Sequence, residues 1–392
     1  MEGSTAGRRR TRGLFLGAAV AGLLACGALA WAPPAGATTI VRGGDGNLLI
    51  GGDDRPEWFF LSTSSSTQWR VELIFPALIG SDEHSTVGCT QESSNPITNR
   101  FVYGCPRAAG RRIIAGLGGG DDIVEPRSPG LSDRLEADGA QGEDEIEGGR
   151  ANDLLRGGGG VDWLRGDSPG APGSDDELFG GPGNDLLIGG LGKDTLAGGA
   201  SDDVLRGDDP DQDFVDADRL DGGTGVDRVR YTDRHLALTI TLDGAANDGQ
   251  HGGAEGDNLI GVENVTGGSG EDRITGNGSG NTFDGLGGRD FLFGLGSDDR
   301  LGGGPGNDLL HGDDGDDRLE GSTGNDNIFG DSGEDILIGG AGIDIFNGGA
   351  QDDRIFARDG RAENVNCGAG GGDFAQVDFE DSVRNCERRV RG

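Results

Sequence analysis

An apolar side chain recurs at every ninth residue along the second half of the chain: Ile274, Phe283, Leu292, Leu301, Leu310, Leu319, Ile328, Leu337, Phe346 and Ile355. Each stands eighth in a nine-residue unit, and ten such units run end to end from Gly267 to Phe356 without losing phase. The flanking positions are mixed, as with Arg273 and Thr275 around Ile274, which is the alternation of a short strand with one covered face. Glycines at the first, second and fourth positions permit positive φ and close backbone approach, so the first six residues of a unit predict a tight turn and the last three a strand. Two units then make one eighteen-residue coil, and the coils stack their strands in parallel. A fixed period of this kind marks an array of small units, each too small to bury a core by itself.

A less regular block with the same pattern runs from about Ile113 to Arg230, with GGGGVDWLR at Gly157, GGPGNDLLI at Gly180, GGLGKDTLA at Gly189 and GGTGVDRVR at Gly222. Between the blocks, 231–266 breaks phase. Leu236 to Leu242 (LALTITL) reads as a strand, and the following DGAANDGQHGGAEGDNLI reads as a loop ending in a repeat with Glu255 in place of the fourth-position glycine. This segment is expected to form one enlarged coil. The organisation expected is a leader over 1–37, a strand-rich N-terminal cap over 38–112, repeat blocks over 113–230 and 267–356 on either side of the enlarged coil, and a C-terminal cap over 357–392.

The sixth position of the unit carries the chemistry. In the second block it is Asp272, Asn281, Asp290, Asp299, Asp308, Asp317, Asp326, Asp335, Asp344 and Asp353. The corresponding residues upstream are read as Asp121, Asp133, Asp144, Asp153, Asp162, Asp176, Asp185, Asp194, Asp203, Asp218, Asp227 and Asp257. Units two apart share an edge, so these residues form two columns of carboxylates about 4.8 Å apart, which repel unless a cation lies between them. Carboxylates and turn carbonyls make an all-oxygen, adaptable ligand set, which suits calcium better than magnesium, with its tight octahedron and retained water. All of these residues are candidate calcium ligands.

At these positions the chain resembles the hemolysin-type calcium-binding repeats of the RTX (repeats-in-toxin) family. The resemblance covers about half of the chain and implies an all-β, right-handed parallel β-roll or β-solenoid of nonapeptide repeats, with several calcium ions in its turns. Without calcium, so glycine-rich and acidic a tract is expected to be disordered.

Charge supports this reading. The formal charge is −36, with 69 acidic against 33 basic residues, and 82 of 392 residues are glycine. The second block alone has 19 acidic and 5 basic side chains. Such a surface repels nucleic acid and anionic headgroups and attracts divalent cations. Only 33% of residues are hydrophobic, too few for a large conventional core.

The first residues predict export. Arg8, Arg9, Arg10 and Arg12 precede an apolar run from Leu14 to Ala30, and Ala35-Gly36-Ala37 offers a small-x-small cleavage site. Leu23-Leu24-Ala25-Cys26 resembles a lipobox, and processing there would instead leave a lipid on Cys26 and tether the protein. No membrane span is expected after cleavage. Best-known RTX toxins lack such a leader and carry a different C-terminal signal from CERRVRG, so the toxin label does not transfer. Cys89, Cys105, Cys367 and Cys386 remain after cleavage. An even number in an exported chain reads as disulfides, and proximity suggests Cys89–Cys105 and Cys367–Cys386, closing the two caps.

Catalytic signatures are weak. The four histidines, His84, His235, His251 and His311, are scattered and form no HExxH. The G-x-S-x-G at Gly166-Asp167-Ser168-Pro169-Gly170 lies in loop sequence with proline after the serine, unlike a nucleophile elbow. Asp209, Asp211 and Asp213 resemble the start of an EF-hand loop, but Phe214 and Leu220 occupy its sixth and twelfth positions. The expected function is a secreted, non-catalytic calcium-binding β-roll that folds on its metal. The alternatives are a surface adhesion or matrix protein that uses calcium for rigidity, with an unknown protein or glycan partner, and a remnant of a secreted hydrolase.

Overall fold

The computed structural model describes residues 39–42, 48–51, 58–65, 68–74, 85–87, 90–95, 100–106, 112–126, 133–168, 173–208, 216–250 and 255–392. The leader, Cys26, His84, Cys89, His251, the acidic loop around Asp211 and the side chain of Cys105 lie outside them. Every regular element among the described residues is a strand. The chain is a parallel β-solenoid of about 14 turns. No helix among these residues is long and apolar enough to cross a membrane.

Two sheets face each other across a narrow core, and successive units alternate between them. On the first sheet Leu292, Leu310, Ile328 and Phe346 stand in register; on the second Leu301, Leu319, Leu337 and Ile355 do so. All ten eighth-position residues are at most 2% exposed. The core is therefore one apolar side chain per unit, stacked on its counterpart one coil away.

The strands are longer than the three residues expected. Most in the second block span six, such as Leu309–Asp314 and Arg318–Thr323, and run through the first three residues of the next unit. The ladder continues through the second position, where Gly304, Ser322 and Gly340 pair in one row. The roles of the glycines differ accordingly. Left-handed backbone falls at the second and fourth positions, as at Ser322 (φ 79°) and Gly324 (φ 137°). The first-position glycine is needed for space: it faces inward, where a Cβ on Gly321 would collide with the carboxylate of Asp326.

The junction between blocks differs from the expected enlarged coil. Residues 246–250, read as loop, form a strand, and Leu238–Thr241 and Ala246–Gln250 make an antiparallel hairpin. The hairpin is inserted in the first sheet, pairing with Asp257–Ile260 on one side and Arg273–Thr275 on the other. On the second sheet Asn264–Thr266 pairs directly with Thr282–Asp284. The first sheet is thus two strands wider here, about 10 Å at one strand spacing each.

At the N-terminal end, Trp58–Ser65 extends the second sheet by parallel pairing with Ile123–Pro126, then turns into antiparallel pairing with Gln68–Ile74, which pairs with Arg100–Pro106. At the C-terminal end, Ser382–Arg384 and Arg388–Arg391 complete the two sheets. A disulfide joins Cys367 to Cys386, with Cα atoms 5.1 Å apart. Cys367 takes the place of the inward first-position glycine, and Cys386 lies three residues after Val383, the register partner of Val365 in the next coil.

Candidate metal centres in the turns

Position six begins the inward alternation six, eight, one. The Asp side chain therefore points into the roll at the mouth of the turn, beside the first-position glycine of its own unit. Its Oδ1 accepts the backbone N–H of the Asp one coil earlier, at 2.9 Å for Asp272 N to Asp290, 2.8 Å for Asp290 N to Asp308 and 2.9 Å for Asp308 N to Asp326. One carboxylate oxygen thus belongs to the ladder that sets coil spacing, and the other is free for something else.

Two continuous columns result. Along the first sheet Asp153, Asp176, Asp194, Asp218 and Asp257 are linked in this way, and beyond the hairpin Asp272, Asp290, Asp308, Asp326 and Asp344. Along the second sheet the column is Asp122, Asp144, Asp162, Asp185, Asp203 and Asp227, then Asn281, Asp299, Asp317, Asp335, Asp353 and Asp373. Glu263 bridges the two halves: its carboxylate accepts Asp227 N and its carbonyl accepts Asn281 Nδ2.

Two upstream assignments are corrected by register. Asp122 is buried and occupies the column, whereas Asp121 is exposed and accepts Glu143 N at 3.0 Å. Adjacent aspartates give the same composition, and only strand pairing of Ile123 with Glu145 tells them apart. Likewise Asp133 lies two residues ahead of the column, where Leu135 pairs its N–H with Asp153 Oδ1. Asp122, Asp373 and Glu263 were missed because their units lack the full glycine pattern. Asn281 is in the column, but its amide is already engaged: Nδ2 donates to Glu263 and Oδ1 accepts Asn277 N at 3.1 Å.

The second carboxylate oxygen is the telling atom. Oδ2 of Asp144, Asp162, Asp185, Asp194, Asp203, Asp218, Asp227, Asp290, Asp299, Asp308, Asp317, Asp326, Asp335, Asp353 and Asp373 is buried without a hydrogen-bond partner. Around it are further acceptors. The space that a Cβ on Gly321 would fill is bounded by Asp326 and by the carbonyl oxygen of Gly339, and the same pairing of carboxylate with glycine carbonyl recurs at Gly189, Gly285 and Gly330. A buried neutral polar atom left unpaired costs ~1–3 kcal/mol and a charged one more. Loss of hydration, helped by neighbouring carboxylates, accordingly pushes Asp290, Asp299, Asp326, Asp335 and Asp353 up to about 7. The donor set fits calcium: anionic and carbonyl oxygens, repeated from coil to coil.

The junction handles its charge differently. Arg234, 7% exposed, reaches Asp208 and Glu255, the latter at 2.9 Å. Asp257 Oδ2 accepts the hydroxyl of buried Tyr231 at 2.8 Å. Elsewhere, Ser168 donates to the Gly148 carbonyl at 3.2 Å, and His235 Nδ1 lies 2.9 Å from the Ser269 hydroxyl. His311 is stacked between Phe293 and Phe329 on the outer face.

Comparison with known families agrees with this geometry. The model of the RTX calcium-binding nonapeptide repeat matches residues 138–168, 173–209, 251–292, 275–310, 311–346 and 329–361. No curated protein matches the chain.

Proposed function

The chain is an RTX calcium-binding nonapeptide-repeat protein across residues 138–361, and we propose that it is an exported, non-catalytic β-roll that folds on calcium. The observation that carries this reading is the row of buried Asp Oδ2 atoms with no donor, many of them beside a glycine carbonyl, as at Asp194, Asp290, Asp326 and Asp335. The ligands proposed are the column residues: Asp122, Asp144, Asp153, Asp162, Asp176, Asp185, Asp194, Asp203, Asp218, Asp227 and Asp257 upstream, and Asp272, Asp290, Asp299, Asp308, Asp317, Asp326, Asp335, Asp344 and Asp353 downstream, with turn carbonyls. When bound, calcium supplies positive charge to these oxygens. The side chains themselves fix coil spacing through Oδ1.

Coupled folding follows from what is missing otherwise. Each unit buries one apolar side chain, about 1.5–3 kcal/mol, against a backbone ordering cost of ~1–2 kcal/mol for each of its residues. A ligand bound only by the folded state adds its binding free energy to stability. Export is supported by the charged and apolar pattern of the first 37 residues and by the Cys367–Cys386 disulfide, which suits an oxidising compartment.

Far-ultraviolet circular dichroism of the mature protein tests the reading. Strand signal should appear on calcium addition, collapse in excess chelator and return on re-addition, with magnesium failing to substitute. A spectrum indifferent to chelator at neutral pH would sink it.

A further inference from the structure

The C-terminal cap departs from the repeat where its coils stop being regular. From Ala357 the turn takes seven residues to reach the column position at Glu363, and from Val377 the next turn takes five to reach Asp381, where repeats use six. The column link survives this irregularity, since Glu363 N donates to Asp381 Oδ1 at 3.1 Å. The turns themselves exchange glycine for acid.

Three aspartates are held in place by backbone donors. Asp378 Oδ2 accepts Asp359 N at 3.0 Å and Gly360 N at 2.6 Å. Asp359 accepts Gly342 N and Arg361 N, at 2.9 and 2.8 Å. Asp381 Oδ2 accepts Asp378 N at 2.6 Å. Glu363 sits among them, 2% exposed, and neither of its carboxylate oxygens has a hydrogen-bond partner. One carboxylate oxygen from each of Asp359, Glu363 and Asp378 lies within 4.8 Å of the others. The guanidinium of Arg358, half exposed, lies 3.8 Å from Asp378. One peripheral arginine does not balance four carboxylates, and it leaves the buried Glu363 untouched. Burial, with Asp381 and Asp359 alongside, raises the Glu363 carboxyl well above its ordinary range.

We propose that Glu363, Asp359 and Asp378 form a separate calcium site in the cap, built from side-chain carboxylates where the repeats combine one carboxylate with glycine carbonyls. It rests on the reading of the chain as a calcium-loaded roll only for the choice of metal: an all-oxygen set on two turns of unequal length tolerates the irregular geometry of calcium and not the octahedron of magnesium. Its place gives it a role. Asp359 and Glu363 belong to one coil and Asp378 to the next, and the Cys367–Cys386 bridge joins the same two coils. Metal and disulfide therefore clamp the last turn of the array from two sides.

The test uses the full oxidised protein, with calcium counted by native mass spectrometry and local protection read by hydrogen exchange. Glu363→Gln and Asp378→Asn should each bind one calcium fewer than wild type and lose calcium-dependent protection over 357–381, while 290–350 keeps it. In chelator the sign should reverse for Glu363→Gln, which protects 357–381 better than wild type because an amide has no charged form for burial to oppose. Equal counts and equal protection in both variants overturn the cap site while leaving the repeat sites standing. A wild-type count of zero overturns the calcium reading altogether, so the two failures are distinguishable.

Discussion

Two glycine substitutions, nineteen residues apart, should have opposite signs. Gly321 is a first-position glycine. A Cβ there would overlap Asp326 Oδ2 and stand 2.8 Å from both Asp326 Cγ and the Gly339 carbonyl oxygen. Neither neighbour can yield, since Asp326 Oδ1 is held by Asp308 N and the carbonyl belongs to the next coil. Overpacking of this kind costs ~1–3 kcal/mol, and the methyl also fills the space proposed for the ion. Gly302 is a ninth-position glycine in the strand Arg300–Pro305; its Cβ would meet nothing closer than 3.7 Å, at the Phe283 carbonyl oxygen. Alanine there relieves the entropic penalty of glycine in a strand, ~0.5–1 kcal/mol. Urea unfolding at saturating calcium should therefore separate Gly321→Ala from Gly302→Ala by about 1.5–4 kcal/mol, the sum of those two effects. Calcium titration should show a weakened midpoint for Gly321→Ala alone. If Gly321→Ala matches wild type in both assays, the inward first position is not the packed cradle described here.

Three further outcomes follow from the same geometry. With metal removed, the column carboxyls have folded values near 7 against an ordinary 3.8, as at Asp290 and Asp335, so the folded roll takes up protons; their stabilising contribution is complete below about pH 4 and is lost as pH rises through about 7. Metal-free protein should accordingly show more strand signal at pH 4 than at pH 7.5, and a steady rise with pH would contradict this. Asp308→Asn should raise the calcium midpoint more than Asp257→Asn, because Asp308 Oδ2 has no protein partner and Asp257 Oδ2 already has Tyr231; equal shifts would count against the column assignment. Reduction of Cys367–Cys386 in calcium should cost protection from Gly348 onward first, leaving Leu292 to Leu310 protected, since a stacked array communicates between neighbours; uniform loss would show the array to be one indivisible unit.

The repeat blocks were legible because one period fixes three things at once: the apolar eighth residue, the column at the sixth and the glycine at the first. Leu292 and Asp290 could be placed inside the roll from spacing alone. Where a unit loses its glycines, spacing no longer fixes the register. Asp121 and Asp122 are equally good by composition, and Asp133 precedes a unit whose column position is Leu135, so hydrogen-bond pairing decides both. Strand length was underestimated because glycine at positions one to three reads as turn, whereas parallel neighbours one coil away convert it to strand. The hairpin was half legible for a related reason: ANDGQ has no strand propensity, and Ala246–Gln250 becomes a strand through pairing on both sides.

The same hairpin region makes one more expectation. Along the regular array most of the buried column aspartates, Asp290, Asp308 and Asp326 among them, have one oxygen without a donor. At the junction the chain supplies its own partners: Arg234 spans Asp208 and Glu255, Glu255 also accepts Gln250 N, and Tyr231 donates to Asp257. A buried arginine with two carboxylates is an internal counter-ion, always charged and fixed by geometry rather than by solution conditions. The junction should therefore depend less on calcium than the array on either side. Hydrogen exchange at a calcium level that half-saturates the protein tests this: amides of Ile240, Leu259 and Val265, all buried, should remain protected after those of Leu292 to Ile328 have become exchangeable. Arg234→Met, which keeps the length and removes the charge, should abolish the difference and return the junction to the calcium dependence of its neighbours. If the junction instead exchanges first in wild-type protein, the internal ion pairs do not replace metal, and the unequal widths of the two sheets make this the weakest point of the roll.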